Sequence, residues 1–597
     1  MTYKSDSYWQ QQADYIMNID MDVETYQYTG TQKIIYTNNS PDELNNVFYH
    51  LYFNAFQPGS EMDARVQSIS DPDKRLAQNI EGKNQPLYES RIAKLQPNEI
   101  GYLKVISLSV NGKPLTYKVE GTILEVHLDK GINPGEKVEF DMVFRGQVPL
   151  QIRRSGRNSK EGVALSMGQW YPKLAEYDDE GWHADPYIGR EFYGVWGDYD
   201  VKIAIDKHYT IGGTGYLQNP EEIGHGYAKK NVITDGDKLV WHFKAPNVHD
   251  FSWAADPDYR HDTFQMKDGP MLHFLYKKDM DSEYLNNWKA IQSKAADFFE
   301  YYNLNIGLYP YQQYSIIQAG DGGMEYGMCT FITGERSFNS LLSVVSHEIA
   351  HNWFQFVVAS NESKHEWMDE GLTSYIEDEA LNVIKGTNKE NAQETAYERY
   401  VGFANSGYEQ PLTTHADRYA SNKAYSRAAY SKGAVFLSQL RYIIGEDQVK
   451  KTIKKYYRDF AFKHPKPFDI IRTAEKVSGL ELDWYFIDFA QTTNTIDYGI
   501  KTVDKRSVTL ERIGLMPMPI DITITYTDDT QEQFYIPLRQ MRGEKPTSAT
   551  ILSDWAWAYP TYSFETSKKI KSAEIDPSGF MADVDRENNT YNRKKNN

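Results

Sequence analysis

Leu341-Leu342-Ser343-Val344-Val345-Ser346-His347-Glu348-Ile349-Ala350-His351-Asn352-Trp353-Phe354-Gln355-Phe356-Val357-Val358 is the stretch on which the reading of this chain turns. Its apolar residues recur at helical spacing from 341 to 358, so a helix is expected over the whole run. Residues four apart on a helix share a face, which lets His347 and His351 reach one ion. Neutral imidazole nitrogen is a good zinc ligand, and a catalytic zinc takes three protein ligands and keeps one position for water. Glu348 stands between the histidines in an otherwise apolar run. A carboxylate there is costly unless it has a partner or a task, and a water to be deprotonated supplies both.

The third ligand lies elsewhere. The extended motif with a third histidine needs glycine at position 354 and histidine at position 357, and the chain has Phe354 and Val357, which excludes it. A carboxylate is at hand in Trp367-Met368-Asp369-Glu370-Gly371-Leu372-Thr373-Ser374-Tyr375-Ile376-Glu377, with eighteen residues between His351 and Glu370. Glu370 is expected in the first turns of a second helix. His347, His351 and Glu370 are thus the expected ligands of one Zn2+ per chain, and Glu348 the expected base.

Outward from this centre the periodicity changes twice. Residues 1–255 show short alternating runs such as Val138-Glu139-Phe140-Asp141-Met142-Val143-Phe144, which predict an all-β domain. Asn111-Gly112 predicts a tight hairpin turn there. The segment at about 61–97 is charged and poor in strand formers, and reads as a surface insertion with one short helix and no assigned function. From Ser282 helical spacing takes over, interrupted by extended runs at 314–318 and 328–332. Residues 256–492 are therefore expected to form an α-rich catalytic domain with a small sheet. Alternation returns beyond Asp497 and predicts a C-terminal β-sandwich over 497–590, with 591–597 a frayed tail. The fold class is multidomain α+β.

The chain has 597 residues, more than one hydrophobic core usually supports. A net charge of -18 argues against nucleic acid as a partner, because phosphate binding needs a basic field, and favours peptides carrying a free ammonium. The single cysteine, Cys329, rules out an intrachain disulfide and leaves the redox compartment open. No apolar run is long enough to span a bilayer, and Met-Thr-Tyr-Lys-Ser-Asp lacks the apolar core of a signal peptide. A soluble protein is expected, periplasmic or secreted where a signal has been removed and cytoplasmic otherwise; oligomeric state is not legible.

With these residues the sequence resembles the aminopeptidase N family of gluzincins, which includes leukotriene hydrolase/aminopeptidase. Two motifs carry the resemblance: the His347-Glu348-x-x-His351 to Glu370 spacing with its Trp-x-x-Glu-Gly-x-x-x-Tyr surround, and Gly322-Gly323-Met324-Glu325-Tyr326, similar to the family's Gly-x-Met-Glu-Asn. The resemblance implies a thermolysin-like catalytic domain and an exopeptidase in which Glu325 grips the substrate α-ammonium. A carboxylate beside glycines at a strand edge also suits a peptide laid alongside as an added strand. Tyr326 stands where the family has Asn, which bears on the shape of the first subsite. The resemblance further makes Tyr430, in Ala429-Tyr430-Ser431-Lys432-Gly433, the oxyanion donor. It gives Tyr425 a place facing the cleft and Gln169, in Met167-Gly168-Gln169-Trp170, a place lining the first side-chain pocket. Cys329 reads as a small packed strand residue, and His183 and His365 as satisfied or surface histidines. Alternatives are a catalytically degenerate scaffold of the same fold, or a zinc hydrolase acting on another bond, as an endopeptidase or epoxide hydrolase.

Overall fold

Strand Gln12–Asp22 buries Ala13, Tyr15, Met17, Ile19 and Met21 on one face and leaves alternate residues outside, as a sheet with one covered face requires. The strand lies in an eight-stranded sheet, paired with Gln27–Thr37 antiparallel and with Gly197–Asp206 parallel. The computed structural model describes residues 8–80, 87–228, 236–320 and 322–593. It divides into two units: Met1–Tyr301, Leu308–Ala359 and Phe462–His464 form one, and Tyr302–Gly307, Ser360–Ala461 and Pro465–Asn597 the other.

In the first unit the expected N-terminal strands are present, and Asn111 and Gly112 take positive φ between paired strands Tyr102–Val110 and Lys113–Pro114. Beyond them a five-stranded sheet runs in the order Tyr259–Gln265, Met271–Lys277, Gln313–Gln318, Cys329–Ile332, Gly323–Tyr326. Its three middle strands are parallel and its edge strands antiparallel to their neighbours. Every residue of Gln313–Gln318 is buried, in keeping with a parallel strand covered on both faces. Trp288, on helix Ser282–Asn305, stacks on Tyr276 of this sheet at 5.1 Å.

Two expectations need correcting in this unit. The segment at 61–97 is not a surface insertion: Met62, Val66, Leu76 and Ile92 lie in one buried cluster with Met324, Tyr326 and Phe331. It does carry the expected short helix, Glu61–Ser68, whose N-cap Ser60 accepts from Asp63 N. The motif helix spans Phe338–Ala350 and stops eight residues earlier than its apolar pattern. Asn352 donates its side-chain amide to the carbonyls of Glu348 and Ile349, and the chain goes on in wider turns, Phe356 N to His351 O at 3.0 Å and Val358 N to Trp353 O at 3.1 Å. Aromatic and β-branched residues favour helix weakly, and a side-chain competitor at its end suffices to stop it.

The second unit is helical up to about residue 490 and then β. Helix Glu362–Ile384 is kinked at His365, where φ is -136 and ψ 49, so Glu370 falls in the second turn after the kink. The C-terminal strands form a three-stranded and a five-stranded sheet, with Phe534 of one against Phe564 of the other at 5.2 Å. Tyr591 and Asn592, expected in a frayed tail, pair with Ala573 and Ser572; 594–597 lie outside the described residues. N-terminal β, helical and C-terminal β regions follow one another as the sequence predicted. The segment expected as one catalytic domain contributes to both units. No helix among the described residues is long and apolar enough to cross a membrane.

Candidate active site

In the first unit, His347 and His351 face each other at the end of the motif helix. Their Nε2 atoms are 3.0 Å apart and their rings nearly perpendicular, at 85°. Two imidazole nitrogens aimed at one point are what a zinc ion takes from an HExxH helix. His351 is the C-cap residue but keeps αR geometry (φ -57, ψ -20), so the shared face survives the end of the helix. Tyr314 donates its hydroxyl to the Glu348 carbonyl at 3.3 Å.

Glu348 is 4% exposed, and its carboxylate lies against the edge strand Gly323–Tyr326. A Cβ placed on Gly323 would come within 2.1 Å of Glu348 Oε1, so a side chain there would displace the carboxylate. Gly322 has φ 91, a conformation open to glycine, and its carbonyl accepts from Thr333 N at 2.7 Å. Met324, Glu325 and Tyr326 follow on the same strand, all buried, with Glu325 4% exposed. The sheet therefore brings Gly322, Gly323, Met324, Glu325 and Tyr326 to the same edge as the motif helix. Gln169 joins them: it is 3% exposed and accepts from the Tyr326 hydroxyl at 3.3 Å.

Some neighbours of this edge were not legible in the sequence. Arg154 and Glu191 form a buried ion pair, each side chain 5% exposed, and a carboxylate oxygen of Glu191 lies within 4.8 Å of one on Glu325. The charge of Glu325 acts on the Arg154 guanidinium. An Arg in the 151–157 loop and a Glu some forty residues on carry no local signal that would have joined them. Two buried histidines hold the chain that leaves the motif: His249 Nε2 meets Gln355 O at 3.0 Å and His464 Nδ1 meets Ala359 O at 2.8 Å. Cys329 is fully buried, and burial pushes its thiol up to about 12. His183 is buried against Asp178 at 2.8 Å.

In the second unit, Glu370 is 4% exposed and its Oε1 accepts a hydrogen bond from the Tyr430 hydroxyl. Tyr430 sits in a π-helical turn, Arg427–Lys432, that runs directly into helix Gly433–Ile444; such turns recur at functional sites. Tyr425, on the short helix before it, is 7% exposed and packs edge-on to Tyr419. Lys432 is buried and ion-paired with Glu409 at 2.7 Å.

An HExxH histidine pair with a glutamate between them is the motif that zinc metalloproteases carry on a helix, and here the glutamate is buried beside a sheet edge with a second buried carboxylate. Residues 292–489 match the model of the peptidase family M1 domain. Leucine aminopeptidase 2-1 of Meyerozyma guilliermondii is 27% identical over 189 residues, 30% of this chain and 29% of that protein. Aminopeptidase B of Mus musculus is 31% identical over 159 residues, 24% of this chain and 23% of that protein. The chain thus spans under a third of the length of these curated relatives. Among solved structures, an M1 zinc metallopeptidase from Deinococcus radiodurans matches with a TM-score of 0.53 and 14% identity, over 81% of this chain and 93% of that one. A mutant of that enzyme is bound to a Tyr-Ser-Ala substrate. At that identity the likeness establishes the fold.

Proposed function

We propose that this chain is a zinc-dependent aminopeptidase that hydrolyses the first peptide bond of peptides with a free N-terminus. His347, His351 and Glu370 would hold one zinc ion. The two imidazoles facing at 3.0 Å and the motif spacing support this ligand set. Bound there, zinc supplies Lewis acidity toward the peptide carbonyl and toward water.

One observation carries the exopeptidase reading: the Glu348 carboxylate rests on Gly323, and Glu325 is two residues further along the same strand. Two residues of strand span about 6.7 Å, so anchor and base are separated by room for one substrate residue. Glu325 receives the α-ammonium and stops the peptide. Glu348 takes a proton from the attacking water and passes it to the departing amine. Tyr430, which here donates to Glu370, offers its hydroxyl to the carbonyl oxygen as negative charge develops. Gln169 and Tyr425 belong to the substrate-binding walls. The domain division at 255 and 497 accompanies this reading.

The test compares an amino-acid anilide with its N-acetylated form, zinc being measured on the same sample. The expected result is stoichiometric zinc, cleavage of the free anilide and none of the blocked one. Glu348→Gln should retain the metal and lose about 10²- to 10⁴-fold in kcat, the usual worth of a positioned general base. Equal cleavage of both anilides would point to a different bond, and near-parental rates in Glu348→Gln would remove the assigned base.

A further inference from the structure

Arg336 lies in the loop between strand Cys329–Ile332 and the motif helix, on the side of the Gly323–Glu348 contact away from Glu325. Ser340, Val344 and Glu348, four residues apart, share one face of that helix. A Cβ on Gly323 would lie 2.8 Å from Val344 Cγ2 and 2.1 Å from Glu348 Oε1, so this face looks onto the edge strand. Arg336 donates from Nη1 to Ser340 Oγ at 3.0 Å, at the far end of the same face. On the strand side its Nε donates to Thr333 Oγ1 at 2.9 Å, and Thr333 N and Oγ1 both donate to the Gly322 carbonyl, at 2.7 and 3.4 Å. The guanidinium is thus tied to the helix face by one nitrogen and, through Thr333, to the residue before Gly323 by another.

The loop itself is held: Arg336 N donates to Gly334 O at 3.0 Å, and Asn287 donates its side-chain amide to the Arg336 carbonyl at 2.9 Å. The arginine is half-buried, yet among the described residues it makes no ion pair and its Nη2 no hydrogen bond. Burial lowers its pKa, and the charges of Glu161 and Glu348 oppose that shift. Glu161 does not pair with it; its oxygens accept from Gln318 Nε2 at 3.0 Å, Gly334 N at 2.6 Å and Glu335 N at 3.2 Å. A cation drawn partly out of water without a carboxylate is unfavourable, and a planar guanidinium with a nitrogen to spare suits a carboxylate ligand.

A peptide whose ammonium meets Glu325 and whose first carbonyl lies by Glu348 carries its leaving part past Gly323, toward Arg336. From Glu348 back to Ser340 the helix covers about 12 Å, at about 1.5 Å per residue. An extended peptide covers about 3.3 Å per residue, so the guanidinium stands about three residues beyond the cleaved bond. We infer that Arg336 binds a carboxylate on the leaving part of the substrate, about three residues past that bond. The C-terminal carboxylate of a tetrapeptide and an acidic side chain at the same position of a longer peptide both supply it. The inference rests on the aminopeptidase reading and adds to it a preference in length and charge on the leaving side.

The experiment measures cleavage of leucyl anilide, Leu-Ala-Ala-Ala, its C-terminal amide and Leu-Ala-Ala-Glu amide by the full zinc-loaded chain, Arg336→Met and Arg336→Lys. In the parent, a carboxylate substrate should exceed the alanyl amide about tenfold or more in kcat/KM, the size of one charge-assisted hydrogen bond, with the difference in KM. The free tetrapeptide reports the terminal carboxylate and the glutamyl amide the side-chain one, so the larger ratio identifies the source. Arg336→Met should bring that ratio close to one, Arg336→Lys should keep part of it, and raised ionic strength should shrink it in the parent. Each ratio is internal to one sample, so a loss of stability in a variant does not move it. A parental ratio in Arg336→Met, or a parent that cleaves the anilide and treats the three tetrapeptides alike, overturns the inference and leaves the aminopeptidase reading standing. A parent inert to the anilide and to every peptide brings down both.

Discussion

Tyr430 donates its hydroxyl to Glu370 at a crossing of two helices that touch glycine to glycine. A Cβ on Gly371 would lie 2.6 Å from Gly433 Cα, and one on Gly433 would lie 2.7 Å from Gly371 Cα. Glu370 directly precedes one glycine and Tyr430 stands three residues before the other, so the closeness of the backbones sets the distance between the two side chains. Gly433→Ala should push the helices apart and destabilise the protein by about 1–3 kcal/mol, the range for overpacking a well-packed contact. It should also lower kcat tenfold or more by separating Tyr430 from Glu370. Thermal melts with steady-state kinetics on an aminoacyl anilide check both; parental kcat in a destabilised variant would show that the contact does not set the pair.

Gly323 offers a sharper test of the base. A methyl group there would sit 2.1 Å from Glu348 Oε1, and the strand that carries it is tied to its neighbour by the pairing of Gly323 with Ile332 and Met324 with Phe331. The carboxylate, and with it the Val344 methyl that would lie 2.8 Å away, therefore has to move rather than the strand. Gly323→Ala is expected to keep zinc content and fold, since the displaced group is the end of a side chain, and to lose 10²-fold or more in kcat, as a misplaced catalytic group does. Unchanged kcat would place the working position of Glu348 away from the strand.

The metal motif was legible because two imidazoles four residues apart need only a helix to converge, and the apolar period supplied that helix. Where the helix ended was not, since Trp353, Phe354, Phe356 and Val357 are buried in wide turns just as they would be in a helix. Burial writes the pattern, not the hydrogen bonding. The segment at 61–97 misled for the opposite reason: Met62, Val66, Leu76 and Ile92 are too sparse to show a period, yet each fills the cluster under the edge strand. Glu325 and Tyr430 came from resemblance. The contacts Gly371 with Gly433 and Gly168 with Tyr326 join residues far apart in sequence, and a glycine alone does not say what it makes room for.

Lys432 and Glu409 form a buried pair, their side chains 0% and 5% exposed, and Lys432 also reaches Thr492 O at 3.3 Å. Burial lowers the Lys432 pKa while the charge of Glu409 opposes that shift. Lys432→Met should leave an uncompensated buried carboxylate and destabilise the protein by about 3–5 kcal/mol. Removing both charges, with Lys432→Met and Glu409→Leu together, should recover most of that loss. Chemical denaturation of the three variants and the parent gives the coupling. A single variant as stable as the parent would mean that Glu409 takes up a proton or finds water when its partner is gone.

Acid sensitivity follows from two buried histidines. His249 and His50 have pKa values lowered from 6.5 to about 3 and about 4, chiefly by burial and further by the nearby Lys173 ammonium. In the unfolded chain both take up a proton near pH 6.5, whereas in the folded protein both stay neutral until far lower pH. Because the folded pKa is depressed, the stability at stake is whole above about pH 6.5 and is lost as the pH falls toward the folded values. Each histidine removes about 1.4 kcal/mol per pH unit within that window. His249→Gln keeps an N–H donor for the Gln355 carbonyl and deletes the titration, so its stability between pH 6 and 4 should fall less steeply than the parent's by about 1.4 kcal/mol per unit. Denaturation followed at intervals from pH 7.5 to 4.5 measures the two slopes. Equal slopes would mean that His249 protonates in the folded protein, against the burial of its ring between Trp196 and Phe356.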